Sequence, residues 1–436
     1  MEKTLTLFKL GIKYLHRYRK RYGFLLAALV FCFAVVTFIT SSKDRMYDNV
    51  YYSAQMHYAG DIIAVGHNSQ ISNAHHLGED EISVILNAAS ASGINPEHVI
   101  FRTLFGNTGL VYFNGTAVTQ KYIIGCDWEN ERHLFSKMDF SSSVNYPIGD
   151  DDIIISDPVA ELLGAAAGDS IILEIDNKYG QKNTKQFIIK GIVQDSSIFG
   201  YYKVYISRLS LNRLLLFDDN DCSTIGFFFK NPSIAEKNRV RLHNILSENM
   251  QTGTLVYDRE GLERETNKPW SGIKVFLHTM PVYLSEVSDL LEAMELITYF
   301  LYGMMLIIIF ASAAVTYRLI LHERAKEMGV MRSIGFFGGD LRMVLWTEVI
   351  MLGIISLLAG FFLALFFSFM TSLVSFSWFP SFEIFLKNGK LTALYLPSTV
   401  FLNIVLTLFI LAAAVIIPSL RASGKNLTSL LSGEPL

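Results

Sequence analysis

The chain has 436 residues and a net charge of −3; 51% of its residues are apolar and only 18% are charged, against about 25% charged in ordinary soluble domains. That balance, with a positive mean hydropathy, excludes a wholly soluble protein and a basic nucleic-acid binder. The charge is also uneven: residues 41–290 hold 21 Lys+Arg against 31 Asp+Glu, and the remainder, 16 against 9, is dominated by long apolar runs.

In chain order, residues 1–23 come first. Lys3, Lys9, Lys13, Arg17, Arg19, Lys20 and Arg21 are opposed only by Glu2, with Leu7, Phe8, Ile12 and Leu15 among them. This pattern predicts an amphipathic helix on the inner membrane surface. Phe24–Thr40 is uncharged and predicts a first span over 24–41. The basic region is too long for a cleavable leader, and Phe31 before Cys32 argues against a lipoprotein signal, so this span is expected to be an uncleaved anchor.

Residues 42–290 predict a large mixed α+β domain. Asp61–Val65 reads as a strand. Ile153–Ser156 reads as a strand running into a short helix opened by Asp157-Pro158. Ser170–Ile175 and Gln186–Val193 flank a polar turn, a hairpin signal. Lys203–Ile206 reads as a strand, Leu209–Phe217 and Glu236–Asn249 as helices. Lys43–Gln55 has no Pro or Gly, and Val287, Leu290, Leu291, Met294, Ile297 and Leu301 keep helical spacing. Both ends of the domain are therefore expected to be helical stalks, about 15 residues and about 20 Å long.

Three further spans follow at 291–322, 343–376 and 391–418, the last ending at Pro418. They are joined by an inner loop at 323–342 and an outer loop at 377–390, and are followed by a tail at 419–436. Basic residues gather ahead of the first span, between the second and third (Arg318, Arg324, Lys326, Arg332, Arg342) and in the tail (Arg421, Lys425). Lys/Arg-rich short segments stay inside. Both termini are thus expected in the cytoplasm, and the acidic domain outside.

Chemical motifs are nearly absent. There is no G-x-x-x-x-G-K-[ST], H-E-x-x-H, C-x-x-C or G-x-S-x-G, so catalysis and nucleotide binding by this chain are not expected, nor a cofactor or metal in it. His57, His67, His75 and His76 match no ligand spacing and read as surface or linker histidines. Cys126 and Cys222 fall in the exported domain, where pairing or two buried thiols are both open. Glu348 and Arg318, the ionisable groups within the spans, read as a snorkelling or interface-paired carboxylate and a headgroup contact.

The inner loop is the distinctive segment. Over 323–335, Met328, Met331 and Ile334 recur at helical spacing, Glu323, Arg324, Glu327 and Arg332 supply charge, and Gly335 ends the helix with Gly338 and Gly339 beyond. An amphipathic helix of this kind can lie in a groove of a soluble partner. Glu323, Arg324, Glu327, Met328, Gly329, Met331, Arg332, Ile334 and Gly335 are its candidate docking residues.

In these residues the chain resembles the MacB/FtsX-type permeases of ABC transporters, which include the LolC/LolE lipoprotein-release permeases. Their pattern after the second span, R-x-x-E-[IM]-G-[IV]-x-R-[AS]-[IL]-G, is met by Arg324, Glu327, Met328, Gly329, Val330, Arg332, Ser333, Ile334 and Gly335. Glu348, Gly353 and Gly360 echo the family's third span. Pro418, Arg421, Ala422, Asn426, Leu430, Gly433 and Glu434 echo its tail, and Ile153–Leu215 its exported core. Leu427, Ser432 and Phe336 depart from it.

The resemblance implies a fold of four transmembrane helices plus a MacB-like periplasmic domain. It implies a non-enzymatic, dimeric permease pairing with a second copy or a sister chain. A separate ABC ATPase binding ATP and Mg would dock on the inner helix and drive the exported domain by mechanotransmission. Substrates would be lipoproteins, lipid-like molecules or peptides, with a periplasmic lipoprotein carrier or adaptor as a further partner. The lack of an ATPase domain in the sequence points to the split LolC/LolE arrangement. The alternatives are an FtsX-like regulator of a cell-wall hydrolase and a membrane-anchored sensor module without an ATPase.

Overall fold

The computed structural model describes residues 10–424 except 12, 16, 18, 72–74, 142–143, 145–146, 195–202, 377, 379–384 and 387–388. The tail residues Lys425, Asn426, Leu427, Leu430, Ser432, Gly433 and Glu434, and the segment 1–9, lie outside the described residues. The chain divides into two units. One comprises Met1–Tyr47, Leu290–Ser375 and Lys390–Leu436; the other comprises Asp48–Asp289 and Phe376–Gly389.

The first unit holds helices long and apolar enough to cross a membrane. Four are found among the described residues: Tyr22–Tyr58, Val287–Glu323, Gly338–Leu373 and Pro397–Leu420. The first and second belong to unbroken helices, Arg19–Tyr58 and Met280–Glu323, whose far ends lie in the second unit. Their apolar cores pack Leu25, Leu29, Ile309, Tyr317, Leu345, Leu352 and Leu411 into one buried cluster. The fourth helix starts at Pro397, not at Leu391, because proline suits the first turn, where its missing N–H would be unsatisfied anyway. It also runs past Pro418 to Gly424, a correction to the expected end; a helix interior bears one proline at the loss of one donor.

The second unit is built on an eleven-stranded sheet. Its strands are β1 (Ile62–Asn68), β2 (His98–Phe105), β3 (Gly109–Phe113), β4 (Thr116–Gln120), β5 (Ile123–Cys126), β6 (Asp152–Ser156), β7 (Ser170–Asp176), β8 (Lys182–Val193), β9 (Val204–Ser207), β10 (Thr224–Phe228) and β11 (Ile273–Thr279). Their order is β11-β1-β10-β2-β5-β9-β6-β8-β7-β3-β4. β2 joins two parts: His98–Arg102 pair with β10, and Thr103–Phe105 with β5. One part is wholly antiparallel; the other contains the parallel pairs β5–β9 and β6–β8.

The run Ile153-Ile154-Ile155 shows why β6 is central. Alternate side chains of a strand face opposite ways. Ile153 and Ile155 enter one buried cluster and Ile154 another, so both faces are covered; each such side chain contributes about 1.5–3 kcal/mol. The hairpin β7–β8 closes with Asp176 opposite Lys182, as the polar turn requires.

Several elements carry weaker signals. β3 and β4 are joined by Asn114-Gly115, both at positive φ (46° and 82°), the two-residue turn whose twist matches a hairpin. The helix Glu79–Ala91 opens with three acidic residues, and Glu81 reaches back to accept from the Gly78 N–H at 3.1 Å.

Where the helix Arg19–Tyr58 ends, Ala59 turns left-handed (φ 56°) and its carbonyl meets β10 at Gly226. A Cβ on Gly226 would lie 1.6 Å from that oxygen, so no other residue fits there. The helix's last carbonyls are capped by Arg102: Nη1 donates to Met56 O and to His57 O, both at 2.8 Å. The same guanidinium donates to Glu131 Oε2 from Nε at 2.9 Å and from Nη2 at 2.5 Å. Both partners are fully buried. Burial pushes the Glu131 carboxyl upward, and Arg102 opposes it.

The surface reading of the histidines is corrected at His57 alone, since His67, His75 and His76 are half-buried. His57 is buried with its ring against Tyr58 and Tyr122. His67 packs edge-on against Phe276 at 4.8 Å, and His76 Nε2 lies 2.8 Å from Asp221. Among the described residues no group of three His, Cys, Asp or Glu is placed to hold a metal ion. Cys126 and Cys222 are buried free thiols, and burial pushes Cys222 up to about 12.

Candidate docking loop and its buried anchor

The loop between the second and third spans belongs wholly to the membrane unit. The second-span helix ends at Glu323, Arg324 forms a turn, and a second helix runs Ala325–Ser333. Gly335 follows at φ 99°, with its N–H donating to Arg332 O, and the third-span helix begins at Gly338. Its start is capped by Asp340, which accepts from the Phe337 N–H at 3.0 Å.

The structure sorts the nine candidate residues into two groups. Met328, Gly329 and Met331 are buried, with both methionines in the cluster that contains Tyr22, Leu25 and Leu341. Arg324 is buried as well. These four lie within the membrane unit's own core rather than on its surface. A short helix beside a helical bundle gains most by turning its largest apolar side chains into the bundle's own core. Glu323, Ile334 and Gly335 are exposed, while Glu327 and Arg332 are half-buried.

The outward apolar surface is therefore different from the expected one. Val330 is 54% exposed, Ile334 71% and Phe337 75%, with the charged Glu323, Lys326 and Arg332 around them in sequence. Val330 and Phe337 were missed because the methionine spacing drew attention to the opposite face. The signal that finds them is the i, i+4, i+7 spacing of Val330, Ile334 and Phe337.

Arg324 is held from several sides. Nη1 donates to Glu348 Oε2 at 2.7 Å, and Nε lies 3.8 Å from Glu327 Oε2. The Tyr14 ring stacks on the guanidinium at 4.4 Å. Tyr22 donates its hydroxyl to Glu348 Oε2 at 2.7 Å. Burial works against the charge of Arg324, and the Glu348 carboxylate outweighs that to hold its pKa above the ordinary range. Glu348 is fully buried, so it is not a snorkelling carboxylate; it is the inner partner of an ion pair. Arg318 is exposed.

Close helix contact surrounds this anchor. Tyr317 donates to Leu345 O at 3.1 Å, joining the second and third spans. On the third span, a Cβ at Gly360 would meet Val30 O at 2.8 Å, so the first and third spans touch backbone to backbone there.

No curated protein sequence matches the chain. Among solved structures it is similar to the extracellular domain of the noncanonic ABC-type transporter YknZ from Gram-positive bacteria, at 12% identity and a TM-score of 0.29, over 48% of this chain and 90% of that one. It is also similar to the periplasmic region of MacB from Actinobacillus actinomycetemcomitans, at 11% identity and a TM-score of 0.28, over 44% and 87%. The membrane part, with the inner loop inside it, matches a family model of its own: residues 299–427 match the FtsX-like permease C-terminal family.

Proposed function

We propose that the chain is the permease subunit of a MacB/LolC-like ABC transporter and carries no catalysis itself. The observation that carries this reading is the FtsX-like match over residues 299–427, which encloses the inner loop. A separate ABC ATPase docks on Val330, Ile334 and Phe337, apolar anchors within a charged rim. The permease works as a dimer, with both termini cytoplasmic and the Asp48–Asp289 unit outside. The helices Arg19–Tyr58 and Met280–Glu323 are unbroken, which suits them to pass ATPase movement to that unit. The substrate class is a lipoprotein, a lipid-like molecule or a peptide.

The test is co-expression with a candidate ABC ATPase and purification of the permease in detergent. Wild type retains the ATPase, and an Ile334→Asp/Phe337→Asp variant loses it while eluting as the same folded species. Wild type that retains none of the cell's ABC ATPases contradicts the reading.

A further inference from the structure

Nothing in the local sequence calls for a break at Arg324. Leu319 to Met328 contains neither Gly nor Pro, and Leu, Arg, Ala, Lys, Glu and Met are all good helix formers. Left to propensity, the second-span helix would run straight on into the Ala325–Ser333 helix. The break must therefore be imposed by contacts made elsewhere. Its position coincides with the one residue of the segment whose long polar side chain is drawn into the bundle: Arg324 is both the turn between the helices and the buried partner of Glu348.

We propose that Arg324 is the positioning residue of the docking loop: its pairing with Glu348, steadied by Tyr22 and Tyr14, sets the angle at which the Ala325–Ser333 helix leaves the second span. This rests on the docking reading for its consequence, not for its geometry.

Three observations converge on it. Glu348 Oε2 receives both Arg324 Nη1 and the Tyr22 hydroxyl at 2.7 Å, so one carboxylate oxygen joins the first span, the third span and the loop corner. Glu348 Oε1 has no hydrogen-bond partner among the described residues. A buried ion pair satisfied on one side only is a poor source of net stability, so what it supplies is direction. Tyr14 closes the other face of the guanidinium, leaving Arg324 little freedom to swing. The angle so fixed decides where Val330, Ile334 and Phe337 point.

The experiment is a distance measurement by paired spin labels at Leu319→Cys and Ser333→Cys, in the full chain in nanodiscs; Cys32, Cys126 and Cys222 are buried. In a continuous helix these positions lie about 21 Å apart. Wild type gives a shorter, narrow distance. Glu348→Gln moves the distribution toward about 21 Å and broadens it. Because that single variant leaves a buried charge and can fail to fold, Arg324→Met/Glu348→Met is measured beside it. That double variant removes both charges and keeps the fold, yet gives the same lengthened distribution and at least a tenfold weaker hold on the ATPase.

A double variant with the wild-type distance overturns the proposal, since packing alone would then set the corner. If the distance responds as stated but wild type binds no ATPase, the positioning role stands and the docking reading falls.

Discussion

Two buried arginine–glutamate pairs, one in each unit, are put to different uses. In the strand-rich unit Arg102 spends four donor contacts on Glu131 and on the Met56 and His57 carbonyls. In the membrane unit Arg324 donates to Glu348, approaches Glu327 and stacks on Tyr14, while Glu348 Oε1 has no hydrogen-bond partner among the described residues. A buried charge is tolerable when every polar neighbour is used, and then it locks. A sparsely satisfied one gives little stability and can only orient. Arg102 secures a helix end inside a sheet domain; Arg324 turns a corner.

The sharpest way to break that comparison is Arg102→Met. It strands a buried Glu131 and two helix-end carbonyls and should destabilise the Asp48–Asp289 unit by about 3–5 kcal/mol. Hydrogen exchange on β2 and β10 amides would read it, and adding Glu131→Met should recover part of the loss. An unchanged exchange rate in the single variant would remove Arg102 from its structural role.

Gly226→Ala comes next. The clash is with the Ala59 carbonyl, which is backbone and cannot rotate away. A cost of about 3 kcal/mol is expected, at the upper end of overpacking, in the thermal unfolding of the same unit. Gly23→Ala, where a Cβ meets nothing, is the control that should stay neutral.

Acid sharpens the contrast further. Burial lowers His67 and His278 to about 3. Unfolded histidine titrates near 6.5, so between those values the unfolded chain binds more protons. Their stability contribution is complete above about pH 6.5 and drains away as pH falls toward 3, by about 2 kcal/mol per histidine at pH 5. Amides of β1 and β11 should therefore lose protection at pH 5. His67→Phe should blunt the effect, and a pH-independent protection pattern would contradict it.

The smallest expected effect is the most informative for the loop. Ile334→Asp alters an exposed side chain, so thermal stability should move by less than about 0.5 kcal/mol. Met331→Glu, three residues away but buried, should cost several times more. Equal costs would mean that the two faces of the helix have been assigned the wrong way round.

Much of this was legible in the residues. Four apolar runs and a polar middle required spans around an exported domain. The strands from Ile153 to Ser207 followed from short apolar runs bounded by Asp, Gly and Pro. β3 and β4 were not read, although Asn114-Gly115 marks their turn, because Thr and Gln on an edge strand lack an apolar alternation. β10 and β11 pair with β1, more than 150 residues away in the chain, and no local pattern announces such a partner. In the loop, the helix and its glycine end were plain, but its inward face was not. Met328 and Met331 look alike whether they meet a partner or their own bundle, and the 24-residue separation of Arg324 and Glu348 in sequence hides the contact between them.

The central claim is that the inner loop of this chain governs an ABC ATPase, and ATP turnover tests it most directly. The candidate ATPase would be assayed alone, with wild-type permease in nanodiscs, and with the Ile334→Asp/Phe337→Asp variant. The account predicts that wild type changes the turnover rate severalfold and that the variant leaves it at the rate of the ATPase alone. Identical rates in all three, with every protein folded, would contradict it.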